Sequence, residues 1–239
     1  MILATLAVAA ALAAAPQPLA AKCGPTGGVH ATPFWLTASD RTRLYAVEAG
    51  SGPIGVVLVH ESPGNLCGWL PYMHTLASSD VRALALDLRG FGDSQLHNGT
   101  PAEAYDRDLR AAIARLHADG AKRVFLEGAS FGGAVSLAYA SQLDVGGVIS
   151  LSGEAYLPRG TPNALAGVTK LHAPLLIVGA RNDFYLPVSD ALLLLRHAPA
   201  KDKRTAFYPG FWHGWNIVEN APYATRARAL ILSWLRKRG

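Results

Sequence analysis

The sequence predicts an α/β fold: a mostly parallel central sheet with helices on both faces, built as one domain. Three observations predict it. Short, largely apolar runs recur along the chain, among them the wholly apolar Gly55–Val59 (GVVLV), and Val81–Leu86 (VRALAL), Gly147–Ser152 (GVISLS) and Pro174–Val178 (PLLIV). Runs of that length mark strands buried on both faces. Helical patterns fall between them, and alternation of this kind implies right-handed crossovers and a sheet covered on both sides. The third observation is RVFLEGASFGGAVSLAY, from Arg123 to Tyr139: a strand, a tight turn with Ser130 at its apex, and a helix.

Composition sets the bounds. With 239 residues, half of them hydrophobic and 16% charged, the chain is long enough for one domain with a full core and is not disordered. The net charge of +5 is modest, and much of it lies at Arg226, Arg228, Arg236, Lys237 and Arg238. That pattern reads as the solvated face of a terminal helix rather than a basic stripe for nucleic acid.

In chain order, Ile2 to Ala15 is an unbroken apolar, Ala-rich run, too short to span a bilayer as a helix. It resembles the apolar region of a signal peptide over residues 1–21, with processing near Ala20 or Ala21, although no Lys or Arg precedes it. Residues 22–239 then form the single domain. The expectation is an exported protein, secreted or periplasmic, with no stable membrane span. Cys23 and Cys67 fit that compartment as a disulfide pinning the N-terminal arm to the body. The alternative, two thiols too far apart to bridge, stays open on sequence.

Phe34 to Val47 reads as a β-hairpin around Ser39-Asp40-Arg41. Strand Gly55–Val59 ends at His60-Glu61-Ser62-Pro63-Gly64, and Asn65–Ser78 reads as helix. After strand Val81–Leu86, Thr100-Pro101-Ala102-Glu103 signals a helix start with Thr as cap and Pro in the first position, and that helix runs to about Asp119. Val188–His197 reads as an amphipathic helix, Lys203–Tyr208 as a last strand, and Pro222–Lys237 as the terminal helix.

The turn at Ser130 carries a physical argument of its own. Side chains two residues before and after the apex would collide, and both positions, 128 and 132, are Gly. The turn lifts the Ser130 hydroxyl clear of the sheet and places the Phe131 N–H at a helix N-terminus, where a developing oxyanion is favoured.

Five stretches together, HESPG, DLRGFGDS, GASFG, GARNDFYLP and PGFWHGW, resemble the α/β-hydrolase family from about Phe34 to the C-terminus. The resemblance implies the α/β-hydrolase fold and a Ser-His-Asp triad: Ser130 as nucleophile, His213 as base and Asp183 as the acid that orients it. Glu154, after the strand Gly147–Ser152, is the rival acid. The oxyanion hole would be the backbone N–H groups of Phe131 and Ser62. Glu61 stands where the family usually has Gly, either as a simple variant or as a carboxylate near the substrate mouth. His60, Asp87, Arg89 and Asp93 are read as structural. Phe131, Phe184, Tyr185, Phe211, Trp212 and Trp215 either line a pocket or pack beneath the loops.

In this family a helical lid follows the strand that here ends near Ser152. Only Gly153 to Ala173 separates that strand from the next, so the cap is minimal and the site open. This argues against epoxide hydrolases and dehalogenases, which enclose small substrates and use Asp as nucleophile. The expectation is a serine hydrolase cleaving small-molecule or polymer-borne carboxylic esters through an acyl-enzyme. A peptidase or thioesterase on the same triad is the alternative, and a non-catalytic binding module a further one. No cofactor and no metal are expected.

Overall fold

A computed structural model describes residues 15–26, 28–99, 101, 103–157 and 162–239. Most of the apolar run Ile2–Ala15, the capping Thr100, and Pro158 and Gly160 of the expected open connection lie outside the described residues.

Helix α1 (Leu19–Cys23) leads to strands β1 (Thr32–Thr37), β2 (Arg43–Ala49) and β3 (Ile54–Val59). A 3-10 turn at Leu66–Trp69 opens α2 (Leu70–Ala77), followed by β4 (Val81–Leu86), α3 (Tyr105–Ala118), β5 (Arg123–Ala129) and α4 (Phe131–Tyr139). Then come β6 (Gly147–Leu151), α5 (Ala164–Val168), β7 (Leu175–Ala180), α6 (Val188–His197), β8 (Lys203–Tyr208), α7 (Asn216–Glu219) and α8 (Ala224–Arg236).

The strands form one sheet in the order β1-β2-β4-β3-β5-β6-β7-β8. β2 is antiparallel to both its neighbours, and every pair from β4 to β8 is parallel. Strand β3 is buried at all six positions, as an apolar run in mid-sheet requires. Its alternate residues serve two cores. Val57 and Val59 face a layer with Leu109, Ile113, Val135 and Leu194 of α3, α4 and α6. Val56 and Leu58 face Tyr72, Met73, Ile231 and Trp234 of α2 and α8. The chain runs from β3 outward to β4, then returns across to β5. That reversal opens a crevice at the carboxyl ends of β3 and β5, the place where ligands bind in sheets of this kind.

Two expected boundaries move. The helix predicted from Pro101 begins at Tyr105. Pro101 is held outside it, its carbonyl accepting from Arg89 Nη1 at 3.1 Å, while Arg89 grips Asp108 in the first turn through Nε at 3.0 Å and Nη2 at 2.7 Å. That buried pair fixes where the helix starts. The helix predicted from Asn65 opens as a 3-10 turn, capped by Asn65 Oδ1 on Cys67 N at 2.9 Å. Pro71 lacks the N–H that an α-helix from Asn65 would bond to Cys67 O.

Helix α1 has no counterpart in the sequence reading, which assigns most of it to the leader. Leu19 packs into the α2/α8 core, and Tyr45 Oη donates to Gln17 O at 2.8 Å. Lys22 Nζ pairs with Asp87 and Asp93, both at 2.8 Å. Burial alone would lower the Lys22 ammonium's pKa, but the two carboxylates outweigh it and hold it raised. Cys23 is disulfide-bonded to Cys67, 44 residues away, with Cα atoms 5.4 Å apart.

Two predictions follow from these contacts. Closing a loop of that length restricts the unfolded chain, so the double variant Cys23→Ser/Cys67→Ser is expected to lose about 2–4 kcal/mol in urea unfolding. Glu127, fully buried in β5, accepts a hydrogen bond from Tyr72 Oη at 3.3 Å on Oε2, and its Oε1 has no partner among the described residues. Burial pushes its carboxyl up from 4.5 to about 8, so the folded state retains a proton that the unfolded chain gives up. The resulting cost is absent below pH 4.5, grows as the pH rises, and is complete near pH 8. Glu127→Gln should therefore leave stability at pH 4 nearly unchanged and raise it at pH 8 by a few kcal/mol, on the order expected for such a shift, read as a flattened stability–pH curve.

Candidate active site

The site is built at the carboxyl edge of the sheet. Ser130 follows β5 and precedes α4 with φ 48° and ψ −116°, a conformation that L-residues avoid. It persists because its surroundings fix it. Its N–H donates to Leu151 O at 2.8 Å, and its carbonyl accepts from Ala134 N at 3.0 Å. A Cβ on Gly128 would collide with the Gly132 carbonyl, and one on Gly132 would collide with the Val59 and His60 carbonyls. The start of α4 is thus pressed against the loop leaving β3. The register agrees, since Val59 of β3 pairs with Gly128 of β5.

That loop carries Ser62, exposed to solvent, and Phe131 opens α4. Phe131 is half-buried, its ring 5.6 Å from both Phe91 and Tyr105. His60 is buried and holds the loop from below. Its Nε2 accepts from Leu88 N at 3.1 Å, so the ring proton lies on Nδ1, which donates to Glu61 O at 2.9 Å. Burial lowers the His60 pKa and keeps the ring neutral in that tautomer.

The acid and the histidine meet. His213 Nδ1 lies 2.9 Å from both Asp183 oxygens. A carboxylate only accepts, so Nδ1 carries the proton and Nε2 is left as a base. Asp183 Oδ1 also accepts from Tyr185 N at 3.0 Å and Leu186 N at 3.3 Å. Burial would raise the Asp183 pKa, but the His213 ring, by hydrogen bond and charge, together with the other donors around the carboxylate, outweighs it and holds the carboxyl below its ordinary value. Gly210 and Gly214, at φ +93° and +57°, let the loop bring His213 over the sheet edge.

Ser130 itself bonds elsewhere. Its Oγ donates to Glu154 Oε1 at 3.4 Å, and no hydrogen bond joins Ser130 and His213 among the described residues. Glu154, weighed in the sequence only as a rival acid, is therefore the resting partner of the serine, while Asp183 holds the histidine. Burial raises the Glu154 pKa, with His213 and the Ser130 hydroxyl drawing it back. Glu61 reaches Trp215 N with Oε2 at 3.3 Å. No sequence signal marks either contact, because each joins separate loops.

Asp87 and Arg89 face inward. Asp87 accepts from Leu66 N and Asp93 N, both at 2.9 Å, while Arg89 binds Asp108 and Asp40. Asp93 pairs with Lys22. The aromatic residues divide: Phe184 (87% exposed), Phe211 (74%) and Tyr185 (59%) are exposed on the loops that carry Asp183 and His213, whereas Trp215 packs 6.1 Å from buried Trp69. The Tyr185 ring lies 4.8 Å from that of His213. Among the described residues no group of His, Cys, Asp and Glu could hold a metal ion.

A serine on such an elbow, with a carboxylate-bound histidine at the same sheet edge, is the layout of a hydrolase, recognised by geometry rather than by one motif. The chain belongs to the alpha/beta hydrolase family, whose family model matches residues 56–238. It is 36% identical over 77 residues to bifunctional epoxide hydrolase 2 of Rattus norvegicus, a stretch covering 32% of this chain and 13% of that protein. It is 30% identical over 109 residues to protein phosphatase methylesterase 1 of Bos taurus, covering 44% of this chain and 28% of that protein. The chain thus spans less than a third of the length of these curated relatives. An esterase from Pyrococcus furiosus shares the fold, with a TM-score of 0.73 at 16% identity over 89% of this chain and 94% of that one. No helix among the described residues is long and apolar enough to cross a membrane.

Because Gly132 touches backbone on β3, Gly132→Ala has no flexible side chain to displace. It is expected to cost about 1–3 kcal/mol or more in thermal unfolding and to abolish covalent labelling of Ser130 by a fluorophosphonate in whatever protein remains folded.

Proposed function

We propose that the protein is an exported serine hydrolase that cleaves carboxylic esters through an acyl-enzyme. The observation that carries this is the Asp183–His213 pair brought to the same sheet edge as Ser130 on its elbow. Ser130 Oγ turns from Glu154 towards His213 and attacks the ester carbonyl carbon while its proton passes to His213 Nε2. The tetrahedral oxyanion is held by the N–H groups of Phe131 and Ser62. Collapse breaks the bond to the alcohol, which leaves with the proton from His213. Water, deprotonated by the same nitrogen, then frees the acid and restores Ser130. Asp183 keeps the histidine in its working tautomer and stabilises the imidazolium.

Ester substrates are supported by the short connection between β6 and β7. Its described part carries only α5, a helix of five residues, so bulky or polymer-borne acyl groups have access. The printed activities of the methylesterase and of the Pyrococcus esterase point the same way. Epoxide opening by an aspartate nucleophile is disfavoured, because the elbow carries Ser130. Export is supported by the apolar run Ile2–Ala15 and by the Cys23–Cys67 disulfide, which suits an oxidising compartment.

The test is hydrolysis of p-nitrophenyl esters from acetate to long acyl chains. Ser130→Ala is expected to lose at least about 10³-fold in kcat, and Asp183→Asn about 10³–10⁴-fold. Glu154→Gln should stay within about tenfold of the wild type, as befits a group that does not orient the base. Full activity in Ser130→Ala would overturn the reading. Loss in Glu154→Gln with activity kept in Asp183→Asn would move the acid to Glu154. A folded protein inert on every ester, yet active on a thioester or peptide, would move the substrate class.

A further inference from the structure

Glu61 stands in the loop after β3, and its side chain lies between two loops. Oε2 accepts the Trp215 N–H at 3.3 Å and fills the space beside Gly214, where any Cβ would collide with it. Gly214 is the residue after His213, so the carboxylate binds the histidine loop on the two positions that follow the ring. The backbone of Glu61 is held as well, by the bond from His60 Nδ1 to its carbonyl. The next residue is Ser62, whose N–H the mechanism uses. One side chain thus sets the separation between an oxyanion donor and the base.

We infer that Glu61 is a positioning residue for His213: its carboxylate fixes the histidine loop against the oxyanion loop, and its charge stabilises the imidazolium formed when Ser130 is deprotonated. This rests on the reading of His213 as the base. The groups facing His213 come from three elements besides its own loop. Asp183, after β7, bonds Nδ1 directly. Glu154, after β6, holds the Ser130 hydroxyl, and Glu61, after β3, holds the Trp215 N–H two residues past the ring. The Tyr185 ring stacks at a tilt beside it. Burial raises the Glu61 pKa, while the Trp215 N–H and His213 draw it back, as reciprocal attraction between the two groups requires. Asp183 remains when Glu61 is neutralised, so the histidine stays oriented but becomes less basic.

The experiment follows the imidazole of His213 by NMR titration in the full chain, assigned with His213→Gln, for the wild type, Glu61→Gln and Glu61→Ala. Glu61→Gln keeps an acceptor for Trp215 N–H and removes the charge. Its His213 pKa is expected to fall by about 0.5–1 unit, with the acid limb of the kcat/KM profile on a p-nitrophenyl ester moving down equally. Glu61→Ala also loses the tie, and kcat should fall about tenfold or more with KM within about threefold. A His213 titration in Glu61→Gln that superposes on the wild type overturns the inference, as does an unchanged kcat in Glu61→Ala. The titration needs no turnover, so this failure is distinct from failure of the hydrolase reading, which would appear as activity surviving Ser130→Ala.

Discussion

One close backbone approach organises the molecule: the first turn of α4 lies against the carbonyls that end β3. It is possible only because positions 128 and 132 lack a Cβ, each of which would strike backbone rather than a movable side chain. Ser130 bears the cost as a positive φ, on the order of 1–3 kcal/mol for a residue of this kind. The conformation is over-determined by a central strand paired on both sides, β3 on one and β6 on the other. The same approach sets the first turn of α4 against the start of the loop that leaves β3, at the Val59 and His60 carbonyls.

The loop after β3 is tied from several directions, which explains how it keeps its shape with Glu61 in place of glycine. His60 anchors its start to Leu88 and to Glu61 O. Asp87 anchors its end through Leu66 N, and is itself neutralised by Lys22 of α1. The disulfide joins α1 to the turn that begins α2. These ties are buried or half-buried and mutually satisfying, so removing one partner would leave a charge or a donor without compensation.

Much of this was legible in the residues. An apolar run such as Gly55–Val59 has one stable placement, in mid-sheet, and the strand is buried throughout. The glycines around Ser130 specify the elbow because the turn excludes Cβ atoms. The loops that hold Asp183 and His213 can be read from the strands they follow, and the structure brings the two side chains within hydrogen-bond distance. What stayed hidden depends on contacts between distant residues. Ser130 meets Glu154, and Glu61 meets Trp215, across sequence separations of 24 and 154, with no local pattern to announce either. The start of α3 was misplaced because Pro101 carries a helix-start signal that the Arg89–Asp108 pair overrides. Helix α1 was hidden because Leu19, its core residue, sits in an Ala-rich stretch that reads equally as a leader.

The resting bond of the serine fits a site ready to turn over. Asp183 and Ser130 are buried and the His213 side chain is 21% exposed, so the histidine is the one of the three nearest to solvent. The Ser130–Glu154 bond, at 3.4 Å, is at the long end of the useful range and gives up about 1 kcal/mol or less when broken. That is small beside the strain already stored at Ser130, and His213 Nε2 offers a replacement acceptor. Glu154 therefore parks the hydroxyl without trapping it. The exposed rings of Phe184 and Phe211 stand on the same two loops as Asp183 and His213, which puts apolar surface on the loops that hold this pair.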